Sequence, residues 1–167
     1  QGNGVRQDYR EAAKWYRKVA DRGDASAQYM LGMMYAEGQG VTASDREAAS
    51  WYKKAANQGY LVAESSLGLM YRQGRGVEQS DKLAFKWFEK AATKGEPVAQ
   101  FNLADHYLKG KGVLADPVKS YAWVLLAAEQ GNSAAAQALP QVKRFLNASQ
   151  VSMAEVEARK YRSRYAN

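Results

Sequence analysis

Ala27-Gln-Tyr-Met-Leu31-Gly32-Met-Met-Tyr35 leads into Gly38-Gln39-Gly40-Val41, and then into Trp51-Tyr52-Lys53-Lys54-Ala55-Ala56-Asn57-Gln58-Gly59. This order of small, aromatic and glycine positions returns every 36 residues: Trp15, Trp51, Trp87 and Trp123 stand in one column. Gly4, Gly40, Gly76 and Gly112, each followed by Val, form a second column, and Gly23, Gly59, Gly95 and Gly131 a third. Ala27, Ala63, Ala99 and Ala135 keep the step, as do Leu31, Leu67, Leu103 and Leu139, and Tyr35, Tyr71 and Tyr107. Self-similarity at a period between about 20 and 50 residues is the mark of a repeat architecture.

Each unit reads as two helices. Ala27, Leu31 and Tyr35 lie at i, i+4 and i+8 on one helical face, which predicts a helix over about 25–37. Gly38-Gln39-Gly40 closes it, because glycine takes the left-handed conformation that ends a helix. A second helix starts near Ser44-Asp45 and buries Ala48, Trp51, Tyr52, Ala55 and Ala56, and Gly59 stops it. Asp8-Tyr-Arg-Glu11 and Ser44-Asp-Arg-Glu47 have capping-box spacing, and Asp116-Pro117 supplies an N-cap followed by proline at the first helical position. Gly32, Gly68 and Ala104 mark close approach of two helix backbones, with Trp51 and Tyr52 filling the space beside them. A lone hairpin of this kind cannot bury its stripe. Stacked neighbours can, so the expected fold is all-α: a right-handed α-solenoid of antiparallel helix pairs ending in capping helices.

Ala-x-x-x-Leu-Gly-x-x-Tyr, Gly-x-Gly-Val and Trp-Tyr-x-Lys-Ala-Ala-x-x-Gly together resemble the Sel-one-like repeat, a relative of the tetratricopeptide repeat, over about residues 1–140. The units expected are a partial repeat at 1–24, full repeats at 25–60, 61–96 and 97–132, and a degenerate repeat with a capping helix at 133–167. The fourth copy departs from the pattern at Val124-Leu125-Leu126, and Pro140 falls in the helix-packing glycine column, where a kink is expected. Ser152-Met-Ala-Glu155 suggests a final helix over about 153–165. Gly2-Asn3-Gly4-Val5 matches Gly38-Gln39-Gly40-Val41, so the chain reads as opening inside a repeat, a piece of a longer array. The stripe Ala12, Trp15, Tyr16 and Val19 is then partly exposed and invites self-association.

Of the 167 residues, 46% are hydrophobic and 25% charged, an ordinary folded composition with no run long enough for a transmembrane helix. Cysteine is absent and His106 is the only histidine, which removes disulfide scaffolds, thiol nucleophiles, Cys–His metal sites and Ser–His–Asp triads. His106 is expected at a surface or half-buried position, with no metal or cofactor. Ser50-Trp-Tyr-Lys53 matches Ser-x-x-Lys, but without the companion elements of penicillin-recognising enzymes it reads as a solvated helix face. The Gly-x-Gly turns lack a preceding strand and a Gly-Lys-Ser/Thr ending, so they read as helix stops and not as phosphate cradles. The tryptophans read as core and not as stacking platforms. Basic residues exceed acidic by 24 to 17, with the excess gathered in the tail after 143, which reads as a solvated helix end. No catalytic residue, specific nucleic-acid contact or membrane insertion is expected.

The resemblance implies a concave groove lined by first-helix positions between the repeated ones. Carried over, these are Tyr29, Met33 and Glu37, then Ser65, Leu69, Arg72 and Gln73, then Phe101, Asp105, Leu108 and Lys109, with Arg144 and Phe145 in the last copy. Tyr29, Met33, Leu69, Arg72, Phe101, Asp105 and Lys109 form the candidate partner-binding set: an apolar centre inside a charged rim, as protein-binding surfaces are built. The expected role is a non-enzymatic adaptor for a peptide or partner domain. The alternatives are an immunity-type inhibitor of a secreted toxin and a cell-wall or β-lactam-binding module. Family habit favours a periplasmic or exported location.

Overall fold

The computed structural model describes residues 8–165, and among these it contains nine helices and no strand. They are α1 (Tyr9–Ala20), α2 (Ala25–Glu37), α3 (Asp45–Asn57), α4 (Leu61–Gln73), α5 (Asp81–Ala92), α6 (Pro97–Lys109), α7 (Pro117–Glu129), α8 (Ser133–Lys143) and α9 (Ala148–Tyr165). Gly2-Asn3-Gly4-Val5 lies outside the described residues. From α1 to α8 each helix packs on its neighbour in sequence, and α4 touches α6 while α6 touches α8. The second helices α3, α5 and α7 make no comparable contact with one another, so the first helices line the inner side of the solenoid.

The helix ends follow from the repeated residues. Asp8, Ser44, Ser80 and Asp116 accept backbone N–H bonds in the first turns of α1, α3, α5 and α7, caps worth about 1 kcal/mol each. Gly38, Gly74 and Gly110 close α2, α4 and α6 in the left-handed region, at φ of 70°, 68° and 67°. Gly40, Gly76 and Gly112 also have positive φ and serve a further purpose. A Cβ on them would land on the carbonyls of Tyr9, Asp45 and Asp81, the first residues of α1, α3 and α5. In each loop the carbonyl of the tyrosine column accepts the N–H of the next N-cap: Tyr35 from Ser44, Tyr71 from Ser80 and Tyr107 from Asp116, at 2.8–2.9 Å.

Side chains 30 residues apart clamp successive pairs. Gln58 Nε2 donates to Gln28 Oε1 at 2.8 Å, and Gln28 Nε2 donates to the Ala20 carbonyl at 3.1 Å. Gln130, Gln100 and Ala92 repeat this, at 2.8 and 3.3 Å. In the unit between them the buried residue is Glu64, which has no proton to donate. Lys94 meets it at 3.0 Å and Lys90 at 2.9 Å, and Lys90 Nζ also donates to the Ala56 carbonyl at 3.2 Å.

The helix-packing glycine column makes room chiefly for rings, with the Ala48 carbonyl also within 3.4 Å of a Cβ at Gly32. A Cβ at Gly32 would stand 2.6 Å from the Tyr52 ring, and one at Gly68 would stand 2.7 Å from Phe88. The tryptophan column is core at Trp51 and Trp123, half-buried at Trp87, and 60% exposed at Trp15. Trp51 packs with Ala20, Ala27 and Leu31 under the Arg17 guanidinium. Trp15 has no preceding repeat among the described residues to cover it, so α1 shows its stripe.

The C-terminal end departs from the repeat. The columns of Gly110 and Gly112 become Leu146 and Ala148, so the Gly-x-Gly turn cannot form. The helix α8 runs through Pro140 and stops at Lys143, two residues short of the register of Glu37, Gln73 and Lys109. The last helix then starts at Ala148, not near 153. Asn147 and Gln150 exchange backbone and side-chain bonds at 2.9 and 3.0 Å, so the capping box is Asn147-Ala-Ser-Gln150 and not Ser152-Met-Ala-Glu155. Val151, Ala154, Ala158 and Tyr161 form its inner stripe, and α9 docks on α7, with Tyr161 stacked on Trp123 at 4.1 Å.

Candidate binding groove on the first-helix face

The first-helix residues singled out by sequence do not form one continuous surface. Tyr29 and Met33 are half-buried against the cluster of α3 and α4, and the Tyr29 ring lies 5.5 Å from Tyr52 and 5.3 Å from Tyr60. Burial pushes the Tyr29 phenol pKa up, and that of Tyr52 further, so both hydroxyls stay protonated. Leu69 is half-buried against the α5–α7 core. Arg72 reaches across to Asn102, donating to its Oδ1 at 2.5 Å. Ser65 was expected in the groove but is buried, although Tyr29 and Phe101 of the same column stay half-buried.

Phe101, Asp105 and Lys109 do come together. With Leu108 they form one wall of a pocket of about 350 Å³ between α6 and α8. Ala104, Ser120 and Val124 make the floor, and Ala138, Gln141, Val142 and Phe145 of α8 and its C-terminal end the far wall. The Ser120 hydroxyl is turned away, donating to the Ala104 carbonyl at 2.8 Å, which leaves the floor apolar. At the rim Lys109 pairs with Asp105 at 2.5 Å, and Phe145 is 65% exposed at the mouth. Of the α7 and α8 side of the pocket, only Phe145 was among the groove positions carried over from the sequence. The signal for the rest was the departure at Val124-Leu125-Leu126, which removes the aromatic residue that follows the tryptophan in the earlier copies.

The remaining candidates behave differently. Ser50 and Lys53 are both exposed on α3, the solvated helix face expected for them. His106 is fully buried, not at the surface, because it occupies the core column of Met34, Met70 and Val142. Its ring lies 5.5 Å from Phe88 and 6.3 Å from Phe85, Nδ1 donates to the Lys111 carbonyl at 2.7 Å, and buried Nε2 has no partner. Burial lowers its pKa, against the raising effect of the Lys111 bond. Among the described residues no group of three or more His, Cys, Asp or Glu converges as a metal site, and no helix is long and apolar enough to cross a membrane. In the tail Lys160 pairs with Glu157 at 3.0 Å, Arg162 pairs with Glu129, and Arg164 lies over the Tyr161 ring.

The protective antigen c5321 of uropathogenic Escherichia coli, a crystal structure with an SLR fold, superposes at a TM-score of 0.90 with 32% identity, covering 99% of this chain and 35% of its own. A Sel1 repeat protein from Oxalobacter formigenes superposes at 0.76 with 34% identity, covering 81% of this chain and 56% of its own. The chain therefore spans about a third of the first relative and little more than half of the second. The immunity protein Pa5087 of Pseudomonas aeruginosa aligns at 19% identity over 98% of this chain and 75% of its own with a TM-score of 0.43, too loose to bear on fold or role. No curated protein matches the sequence. The Sel1 repeat model matches residues 1–24, 25–60, 61–96 and 97–132, and with the 36-residue period and stacked helix pairs this makes the chain a member of the Sel1 repeat family, whose repeats generally mediate protein–protein interaction.

Proposed function

We propose that this chain is a non-enzymatic adaptor that holds a peptide or partner domain on its first-helix face. The observation that carries the reading is the open apolar pocket walled by Phe101 and rimmed by Asp105 and Lys109. Tyr29 and Met33 on α2 and Leu69 and Arg72 on α4 lie half-buried on the first-helix side toward the N-terminal end. Their packing against neighbours makes them a rigid flank, while the α6–α8 pocket supplies the grip. Peptides selected from a displayed library on the intact protein test this, with affinities read by fluorescence polarisation. Phe101→Ala removes a hot spot, and binding weakens by about 2 kcal/mol or more. Wild-type affinity in Phe101→Ala and in Tyr29→Ala alike would sink the groove.

A second contact surface is favoured at α1, where Trp15 is 60% exposed and lies edge-on to Tyr16 at 5.3 Å. A second copy of the chain meeting this stripe would cover it as α1 and α2 cover Trp51. Sedimentation equilibrium of wild type and Trp15→Asp reads this directly: the wild type self-associates and the variant does not. A monomeric wild type at high concentration removes the surface from consideration.

A further inference from the structure

The three first-helix grooves differ at one floor position. Between α2 and α4 the Tyr52 ring lies on Gly32, and Tyr29 packs against that ring at 5.5 Å. Between α4 and α6 the Phe88 ring lies on Gly68. One repeat further on, the same two columns hold Val124 and Ala104. The ring has gone, and the pocket of about 350 Å³ opens beside those two residues, with Phe101 in the column of Tyr29 along its wall. A cavity of ~150 Å³ already holds benzene, so this space takes a ring with room for the chain that carries it.

We infer that the α6–α8 pocket takes an aromatic side chain presented by a partner peptide, its ring standing where Tyr52 and Phe88 stand in the earlier repeats and packing on Phe101 as Tyr52 packs on Tyr29. This rests on the reading of the first-helix face as a peptide-binding surface. The rim suits a peptide better than a free hydrocarbon. Asp105 and Lys109 offer an acceptor and a donor, and the exposed Gln141 amide stands on the facing wall. These are the groups that hydrogen-bond a peptide backbone on either side of an anchoring ring. Phe145, exposed at the mouth, folds its ring over the anchor and excludes water from it.

The test is a titration of the isotope-labelled protein, followed by NMR, with N-acetyl-phenylalaninamide and, as control, N-acetyl-alaninamide. The phenylalanine compound shifts resonances in 101–109 and 138–145 and saturates with a Kd of about 1–10 mM, while the alanine compound leaves them in place. The double variant Ala104→Gly/Val124→Phe installs the ring-on-glycine pair of the preceding repeat and weakens binding at least about tenfold, with a melting temperature no lower than wild type. Phe145→Ala alters an exposed side chain, spares the fold, and weakens binding about threefold. Equal shifts from both compounds, or wild-type affinity in both variants, would overturn the inference.

Library-selected peptides separate it from the broader reading. Peptides that compete with N-acetyl-phenylalaninamide support the anchor. Peptides that bind the ring-filled variant as tightly as wild type overturn it and leave the adaptor standing. If no selected peptide binds this face while the phenylalanine compound saturates, the adaptor falls, and the anchor becomes a site for a free aromatic ligand.

Discussion

The clamp around Glu64 and the clamps around Gln28 and Gln100 occupy one geometric slot and hold it by different chemistry. In the outer two a glutamine both donates to a carbonyl of the preceding helix and accepts from the next glutamine, so two neutral side chains hold the slot. In the central unit a carboxylate fills the slot and cannot donate, so Lys90 supplies the missing proton to the Ala56 carbonyl while Lys94 replaces the partner amide. The change from glutamine to glutamate goes with a change of its partner from Gln58 and Gln130 to Lys94, while Lys90 stands in the column of Lys54. A buried carboxylate with two cations is no more stabilising than a neutral pair of similar shape, but it is far more damaging to break.

The largest expected effect comes from breaking the central clamp. Lys90→Met/Lys94→Met strands the fully buried Glu64 carboxylate, with a loss of about 3–5 kcal/mol in urea unfolding. Glu64→Gln/Lys90→Leu/Lys94→Gln copies the Gln100, Leu126 and Gln130 slot and returns stability to within about 1 kcal/mol of wild type. If the two-lysine variant unfolds at the wild-type midpoint, the ionic clamp contributes nothing and the contrast collapses. Gln28→Leu or Gln100→Leu removes both side-chain bonds of the slot, while the Ala20 and Ala92 carbonyls keep the Gly23 and Gly95 N–H groups, a loss of about 1–3 kcal/mol and so no greater than that of the central break. A larger loss at the outer slots would reverse the ranking.

The smallest effect tests the same idea in a second column, where Met34 and Met70 are followed by His106. Nε2 is buried without a partner, Asp81 and Asp105 raise the pKa, Arg72 lowers it, and burial outweighs them all. The folded value thus lies below the ordinary value of 6.5, so the unfolded chain takes up the proton first. Stability is complete above pH 6.5 and is lost as pH falls from there through the folded value. His106→Met, which copies the earlier repeats, removes that part of the pH slope in thermal melts. An unchanged slope in the variant would place the titration elsewhere.

Most of the architecture could be read in advance because it depends on small, periodic choices. The 36-residue step, the caps at Ser44 and Asp116, and the stops at Gly38 and Gly74 each act within a few residues of themselves. Features that depend on which neighbour arrives were less legible. His106 looks like a surface residue until its column with Met34 and Met70 is aligned, and Ser65 looks exposed until its packing is seen. The last helix was misplaced because two capping boxes compete at 147–150 and 152–155, and only docking on α7 through Val151 and Tyr161 decides between them. Of the candidate site, the Phe101, Asp105 and Lys109 wall was legible and the floor was not. A pocket made by a missing ring shows only when Val124 is set beside Tyr52 and Phe88.

Gly40, Gly76 and Gly112 rest against the carbonyls of Tyr9, Asp45 and Asp81, so the step from one repeat to the next is set by contact between main-chain atoms. Side chains on the inner face can vary without altering that step. The face is then graduated like a ruler, with positions such as Tyr29 and Phe101 as its marks. A partner that reaches more than one mark is measured as well as held. One whose own anchors are spaced differently is turned away whatever its chemistry.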